Sequence, residues 1–333
     1  MKAFVINKYS KKQSLQLTEL SLPDVREKDI LVEIHAAGVN LLDSKIKTGE
    51  FKFILPYKLP LILGHDAAGV VVKTGKNVKK FKIGDQIYAR VSDYRIGTFA
   101  QFIAIDEKDA ALKPKNLSME EAASIPLVGL TAWQVLVERA KIKPGEKVFI
   151  QAGSGGVGTF AVQLAKHLGA VVATTAGAQS AGLLKNLGAD IVIDYKNSDF
   201  EKMLHNYDAV LNSQDQKTLE KSLRILKSGG KLISISGPPT PVFAKEIKAP
   251  WFLKIVLSLL SLGIRKKAKR KNADYSFLFM RADGEQLSEI TKLIESGIIK
   301  PVVDKVFSFE ETNDALSYVE GGRAKGKVVI KMK

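Results

Sequence analysis

No cysteine occurs in the 333 residues, and that absence excludes disulfides, thiolate zinc sites, iron–sulfur clusters and a cysteine nucleophile together. Acid is short of base: 35 Asp and Glu against 51 Lys and Arg leave a formal charge of +16. Such an imbalance attracts polyanions, whether nucleic acid, acidic lipid or a phosphorylated cofactor, and it equally fits a lysine-rich solvated surface. Long apolar runs are also missing. The segment Trp251–Ile264 is interrupted by Lys254 and is too short to cross a bilayer. The first residues, MKAFVINKYSKKQ, hold only the apolar run Ala3–Ile6, far less than a secretory signal needs. The expected location is therefore cytoplasmic, with peripheral attachment to a membrane as the alternative. No internal repeat or low-complexity stretch is visible.

What is present is enough to bury sizeable cores: 45% of residues are apolar, and the length favours two domains. The pattern changes twice along the chain. Up to about residue 122, short β-rich runs (Ile30–Ala36, Ala67–Lys73, Gln86–Arg90, Thr98–Ile105) are punctuated by Gly, Pro and Asp, which predicts a partly open barrel. From about 123 to 280, apolar runs at 147–151, 171–175, 190–194, 208–212 and 231–236 alternate with helical spacing at 156–168, 179–187 and 215–227, and a sixth strand is expected at Tyr275–Met280. This is the rhythm of a doubly wound parallel sheet with crossover helices. The remaining tail, helix 283–296, strand 301–308, helix 310–321 and strand Lys327–Lys331, is too short for a domain. The expected organisation is thus a discontinuous β-rich domain, residues 1–122 and 281–333, into which an α/β domain of residues 123–280 is inserted.

Four glycines fall within six positions in Gly153-Ser154-Gly155-Gly156-Val157-Gly158. Gly153, Gly155 and Gly158 satisfy G-x-G-x-x-G directly after one predicted strand and at the start of one predicted helix, the context a dinucleotide-binding loop requires. There the first glycine is expected to permit the turn, the second to let backbone N–H groups approach a pyrophosphate, and the third to let helix and strand pack. The anion would then sit at the positive end of the helix dipole. An acidic residue some 20 positions on, the usual partner of the NAD ribose, is missing: none occurs from Thr159 through Ala189, and the second strand runs into Ala176-Gly177-Ala178-Gln179-Ser180. A carboxylate there would repel a 2′-phosphate, so its absence favours NADP(H). The alternative is NAD held through Thr175 and water.

At this point the sequence resembles the zinc-free medium-chain dehydrogenases/reductases, in the quinone oxidoreductase (zeta-crystallin-like) and enone reductase branch. The motifs that carry the resemblance span nearly the whole chain: AAGVNLLDSKIKTG (36–49), LILGHDAAGVVVKTG (61–75), FKIGDQI (81–87), AASIPLVGLTAW (122–133), the glycine loop, LGADIVIDY (187–195), GGKLISISG (229–237) and GRAKGKVVI (322–330). The resemblance implies a GroES-like barrel interrupted by a six-stranded Rossmann domain, with the cofactor between them. It also implies a homodimer, for which the edge strand beginning at Tyr275 is the expected seam. For the cofactor it implies contacts from Thr131, Ser236-Gly237, Tyr195 and Arg323, the last two toward the 2′-phosphate. Relatives place a lysine just past the second strand where this chain has Ala178-Gln179, and Ser180 or Lys185 would have to compensate.

In the zinc alcohol dehydrogenases of the same superfamily, cysteines stand where this sequence has Asn40 and close to Leu127, and a histidine stands at His65. One imidazole cannot make a three-ligand open site, so no metal is expected. His65 reads instead as a packed residue with Asp66 as polar neighbour and backbone as partner; a site from His65, Asp43 and Asp66 is the alternative. Without a Lewis acid, the fitting substrate is a small lipophilic α,β-unsaturated carbonyl or a quinone. Hydride adds to its β-carbon, and fixed donors stabilise the developing enolate oxygen. The Asn40 amide and the Lys45 ammonium are the expected donors, with Asp43 orienting Lys45 or the ribose. Asn40 alternatively serves as a turn residue after Gly38, and Lys45 as a solvated lysine; Tyr57 and Tyr94 are further candidates.

Residues 250–275 remain, an apolar stretch followed by six basic residues between Arg265 and Lys271. Three readings stay open: a helix covering the substrate cleft, weak contact of residues 251–271 with an anionic membrane, or a subunit interface. A nucleotide-binding protein without turnover that grips RNA or membrane is the competing function. No basic stripe interleaved with aromatics is found, so no specific nucleic acid is expected.

Overall fold

The computed structural model describes residues 1–333 and divides into two compact units, Met1–Leu130 with Arg281–Lys333, and Thr131–Met280. The division falls at 130/131, eight residues beyond the expected 122/123. The reason is steric: Ala122 and Ala123 of the helix Met119–Ala123 are fully buried, and a Cβ on Gly38 would lie 2.4 Å from the Ala123 carbonyl oxygen. Glycine at position 38 thus lets this helix press onto the strand Asp29–Val39.

In the first unit that strand is the spine. It is buried along nearly its whole length because it pairs antiparallel with Asp66–Thr74, with Phe102–Asp106 and with Lys327–Lys331. Buried on both faces, it shows no clean polar alternation. The sheet continues through Gln86–Arg90 to Ala110–Leu112 on one side and to Val303–Ser308 on the other, and a second, three-stranded sheet joins Gln16–Glu19, Lys2–Ile6 and Leu61–Ile62. Phe4, Ile30, Val32, Ile34, Val71, Ile87, Phe99 and Val328 fill the core. Pairing of Gly38 with both Asp66 and Val329 brings the end of Asp29–Val39, the start of Asp66–Thr74 and the start of the last strand to one place.

The second unit is a six-stranded sheet of Lys147–Ile150, Val171–Ala176, Ile191–Asp194, Tyr207–Asn212, Leu226–Ser234 and Asp274–Phe277, every neighbouring pair parallel. Counted along the chain, the strand order is 3-2-1-4-5-6, the doubly wound order with its switch point beside the first strand. The sixth strand is shorter than expected and starts one residue earlier; Leu278 and Met280 are buried beyond its end.

The glycine loop joins the first strand to the helix Gly156–His167. Its left-handed residue is Ala152, at φ 51°, so the sharp turn does not depend on Gly153 as the sequence suggested. Gly153 is needed for space: a Cβ there would lie 2.1 Å from the Thr174 hydroxyl oxygen. Gly158 is needed for the same reason, its Cβ position lying 2.4 Å from the Ala152 carbonyl oxygen. Gly155 faces open space, with nothing nearer than that same oxygen at 3.4 Å. Gly158→Ala is therefore expected to destabilise the protein by roughly 1–3 kcal/mol, while Gly155→Ala leaves the melting temperature near wild type; thermal unfolding of the two variants checks this contrast.

Candidate active site

Two sets of functional side chains form, one in each unit. In the second unit, the carboxyl ends of the strands carry the cofactor candidates, as expected at a switch point. The helix Gly156–His167 starts without a capping side chain. The N–H groups of Gly156, Val157 and Gly158 belong to its first turn, where no intrahelical acceptor exists, and Ser154 leads into it. Thr175 is buried and already committed to the loop: its hydroxyl accepts from the Ala152 N–H (3.1 Å) and its carbonyl from the Gly153 N–H (2.8 Å). These bonds fix the loop to the second strand, and the hydroxyl keeps its own proton to donate.

Beyond the second strand the backbone is open, with nothing within 4 Å of a Cβ on Gly177. Ser180 is buried and Tyr195 largely exposed; the latter follows the third strand, its N–H donating to the Ala176 carbonyl, so Tyr195 stands beside the end of the second strand. The Asp194 carboxylate, one residue earlier, accepts from the Lys196 N–H and the Asn197 amide. Lys185 is exposed on the following helix. On the fifth strand's side, Ser236 donates to the Gln214 carbonyl and the Gly237 N–H donates to the Ser234 hydroxyl. Thr131 is buried. A buried network missed in the sequence supports these ends: Gln151 donates to Ser222 (2.6 Å), Asn212 to Gln151 (2.7 Å) and Ser234 to Asn212 (2.6 Å). Its signal was legible, since polar residues close strands that are otherwise apolar.

In the first unit the pairing around Gly38 gathers a buried polar cluster. Asn40 caps the helix Leu41–Lys47, and its N–H donates to Asp43 Oδ2 (2.8 Å). The other Asp43 oxygen lies 2.6 Å from His65 Nδ1, both side chains being fully buried. A carboxylate only accepts, so Nδ1 carries the proton of this bond. Asp66 Oδ1 accepts from the Leu127 N–H (2.8 Å) and Oδ2 from the Asn40 amide (3.0 Å). Lys327, 5% exposed, places its ammonium 2.5 Å from Asn40 Oδ1, 3.1 Å from the Val39 carbonyl and 3.2 Å from Asp66 Oδ2.

This geometry corrects three expectations. Asn40 is spent: its oxygen accepts from Lys327, and its nitrogen donates to Asp66 and weakly to the Gly38 carbonyl (3.4 Å), leaving no N–H for a substrate oxygen. Asp43 orients His65, not Lys45. His65 takes the Asp43 side chain as partner rather than Asp66 and backbone. Lys45 lies outside the cluster, half-buried on the same short helix, and Arg323 is exposed ahead of the last strand. Lys327 escaped notice because nothing local marks a lysine at a strand start as buried; its partner is 261 residues away.

His65 Nε2 finds no hydrogen-bond partner, as do Arg90 Nε and Thr98 Oγ1 nearby. Asp93 Oδ1 lies 4.0 Å from Nε2 and accepts from Arg90 Nη2, and the Tyr57 hydroxyl donates to the Asp93 carbonyl (2.6 Å). Burial, aided by the Asp93 charge, holds the Tyr57 hydroxyl protonated well above the usual phenol range. Tyr94 is exposed. These residues do not fit a zinc ion. An ammonium and an engaged amide cannot ligate it, Asp43 and His65 Nδ1 occupy each other, and one free imidazole nitrogen remains.

Residues 26–115 match the alcohol dehydrogenase GroES-like domain and residues 187–330 the zinc-binding dehydrogenase domain. The chain is 37% identical to the 2-methylene-furan-3-one reductase of Solanum lycopersicum, over 99% of this chain and 79% of the relative. The NADPH-dependent alkenal/one oxidoreductase of Arabidopsis thaliana chloroplasts is 35% identical over the same shares. Among solved structures, the quinone oxidoreductase of Coxiella burnetii superposes with a TM-score of 0.88 at 29% identity, covering 100% of this chain and 99% of that one. The chain belongs to the medium-chain dehydrogenase/reductase superfamily. It falls with the enone reductase and quinone oxidoreductase branch, as its motifs implied, and is an oxidoreductase of GroES-like and Rossmann architecture. The zinc-binding description of the second match names the wider family; the ligand positions here hold Asn40 and a lone His65.

Burial raises the Asp66 carboxyl above its usual range, and Lys327 and the Asn40 amide oppose that rise. With the folded value raised, the stability linked to Asp66 is fully present below the unfolded carboxylate value and is lost as pH rises through the folded one. Lys327→Met removes the main opposing charge and enlarges that loss. The variant is expected to be destabilised by roughly 3–5 kcal/mol at neutral pH and by clearly less in acid, with Asp66→Asn in the same chain restoring much of the deficit; urea unfolding across pH measures all three.

Proposed function

We propose that the protein reduces α,β-unsaturated carbonyls or quinones with NADPH, by hydride transfer that needs no zinc. The observation that carries this reading is the Lys327–Asn40–Asp66 cluster: where zinc relatives set a Lewis acid, this chain sets a covalently attached ammonium already neutralised by a carboxylate. Such a site cannot polarise a simple alcohol as a metal does. A conjugated substrate asks for less, because its own π-system relays charge to an oxygen that a few donors can hold.

The residues of the second unit fit a dinucleotide phosphate. The uncapped first turn at Gly156–Gly158 offers N–H donors to a pyrophosphate, and Gly155 leaves the approach open. The open backbone after Ala176, free of any carboxylate in the strand itself, suits a 2′-phosphate, with Ser180 and Tyr195 at its border. Thr131, Ser236 and Gly237 are assigned to the nicotinamide end. When bound, NADPH supplies the hydride. For the chain's own part, Lys45 is the donor to the developing oxyanion, since Asn40 is saturated. Asn40, Asp66 and Lys327 hold one another in a buried cluster, and Asp43 holds His65 in one tautomer. The relatives' names, which include an NADPH-dependent alkenal/one oxidoreductase, support this substrate class, and a homodimer is proposed with it.

NADPH consumption with short and long enones, enals and quinones tests the activity, and its absence across that panel overturns the reading. Activity is expected to survive exhaustive treatment with a zinc chelator; a loss restored by added zinc refutes the metal-free assignment. Lys45→Met is expected to lower kcat roughly 100-fold. Ala178→Asp, at an exposed position past the second strand, places a carboxylate where the 2′-phosphate is assigned and is expected to shift the NADPH:NADH ratio of kcat/KM toward NADH by roughly tenfold.

A further inference from the structure

Residues 251–270 form one continuous helix. Leu257, Ser261, Ile264 and Ala268 are its buried residues, a stripe with steps of four, three and four that faces the sheet. The opposite side is not polar, as a solvated face would be. Trp251, Phe252, Ile255, Val256, Leu259 and Leu260 are all exposed, Trp251 by 75% and Leu259 by 65%. Following the outward line at steps of three and four leads from Phe252 through Ile255, Leu259 and Leu262 to Lys266, Lys269 and Arg270. One face thus changes from apolar to cationic along its length, the apolar part extending about 18 Å.

The cations on this line are unclaimed. Arg265 folds back onto Ser258 and Ser261, and Lys267 pairs with Glu220 at 2.7 Å. Lys266, Lys269, Arg270 and Lys271 have no acidic partner, and no acid occurs from Ile247 through Ala273. A second copy of the chain docking on this stripe would therefore bring no carboxylate from the helix itself to meet them. The aromatic pair Trp251–Phe252 stands at the end away from the cations, with aliphatic side chains between, which is unlike a platform for stacking bases. No helix is long and apolar enough to cross a membrane.

We propose that the Trp251–Arg270 helix docks the protein on an anionic lipid bilayer. The helix lies in the interface, its first turns among the upper acyl chains and Lys266, Lys269 and Arg270 among the headgroups. An exposed apolar ridge gains by leaving water, and the neighbouring cations gain from the negative surface potential, so the two halves reinforce each other only on a surface that is both. The proposal does not depend on the catalytic reading. It gives an enzyme for lipophilic substrates a residence beside the phase in which they dissolve.

The full-length protein is sedimented with phosphatidylcholine vesicles with and without phosphatidylserine, at low and high salt. Pelleting is expected only with phosphatidylserine and is weakened by salt. Replacing Lys266, Lys269 and Arg270 by Glu is expected to cut partitioning by roughly 100-fold or more, and Ile255→Asp with Leu259→Asp to abolish it, both with unchanged melting temperature and NADPH oxidation. In a Trp133→Phe background, Trp251 emission is expected to shift to the blue on the same vesicles. Failure to pellet with phosphatidylserine at low salt overturns the proposal. So does binding that the two Asp substitutions leave intact, since the apolar ridge would then be idle, or a dimer that those substitutions split while lipid has no effect.

Discussion

The contact between the Lys327 ammonium and the Asp66 carboxylate ties the last strand to the start of Asp66–Thr74, and the candidate site is arranged around it. Both groups are buried, where removing either partner leaves an uncompensated charge. Each also serves a second purpose. Lys327 fixes the side chain of Asn40, the residue at a helix N-terminus, and Asp66 receives the Leu127 N–H from the segment leading toward the second unit. Strands near residues 39, 66 and 327 are thereby locked to one another by polar groups as well as by backbone pairing.

The same scaffold that holds zinc in related dehydrogenases here carries its positive charge on a side chain. An ammonium cannot gain a ligand, lose a water or lower the pKa of a bound hydroxyl, so the range of reactions it supports is narrower. What it offers in return is permanence: the charge is fixed when the strand forms. The neighbouring Asp43–His65 pair keeps the imidazole oriented.

Much of this was legible in the sequence. Periodicity located the six parallel strands and their crossover helices, and the glycine spacing located the loop, because those signals are local. The return of the tail to the first unit followed from its brevity. What failed to show depended on contacts between distant residues or on exact backbone torsions. The left-handed turn at Ala152 looked like a task for Gly153, because an alanine at positive φ is rare and is held only by its surroundings. Asn40 looked available because its saturation comes from Lys327 and Asp66, neither of which is close in the chain. The outward face of the Trp251–Arg270 helix was hidden as well: composition reveals an apolar and basic segment, but only packing decides which stripe goes in.

The second unit is inserted between the two parts of the first, and this sets an order of assembly during synthesis. Asp66 and its strand leave the ribosome before residues 131–280, and Lys327 leaves after them. Until it arrives, the spine strand lacks one edge neighbour and Asp66 lacks its counter-charge. The nucleotide-type unit, continuous in the chain and with a sheet of its own, can close first. The unit that begins at Met1 is then completed last, by the strand that brings the ammonium.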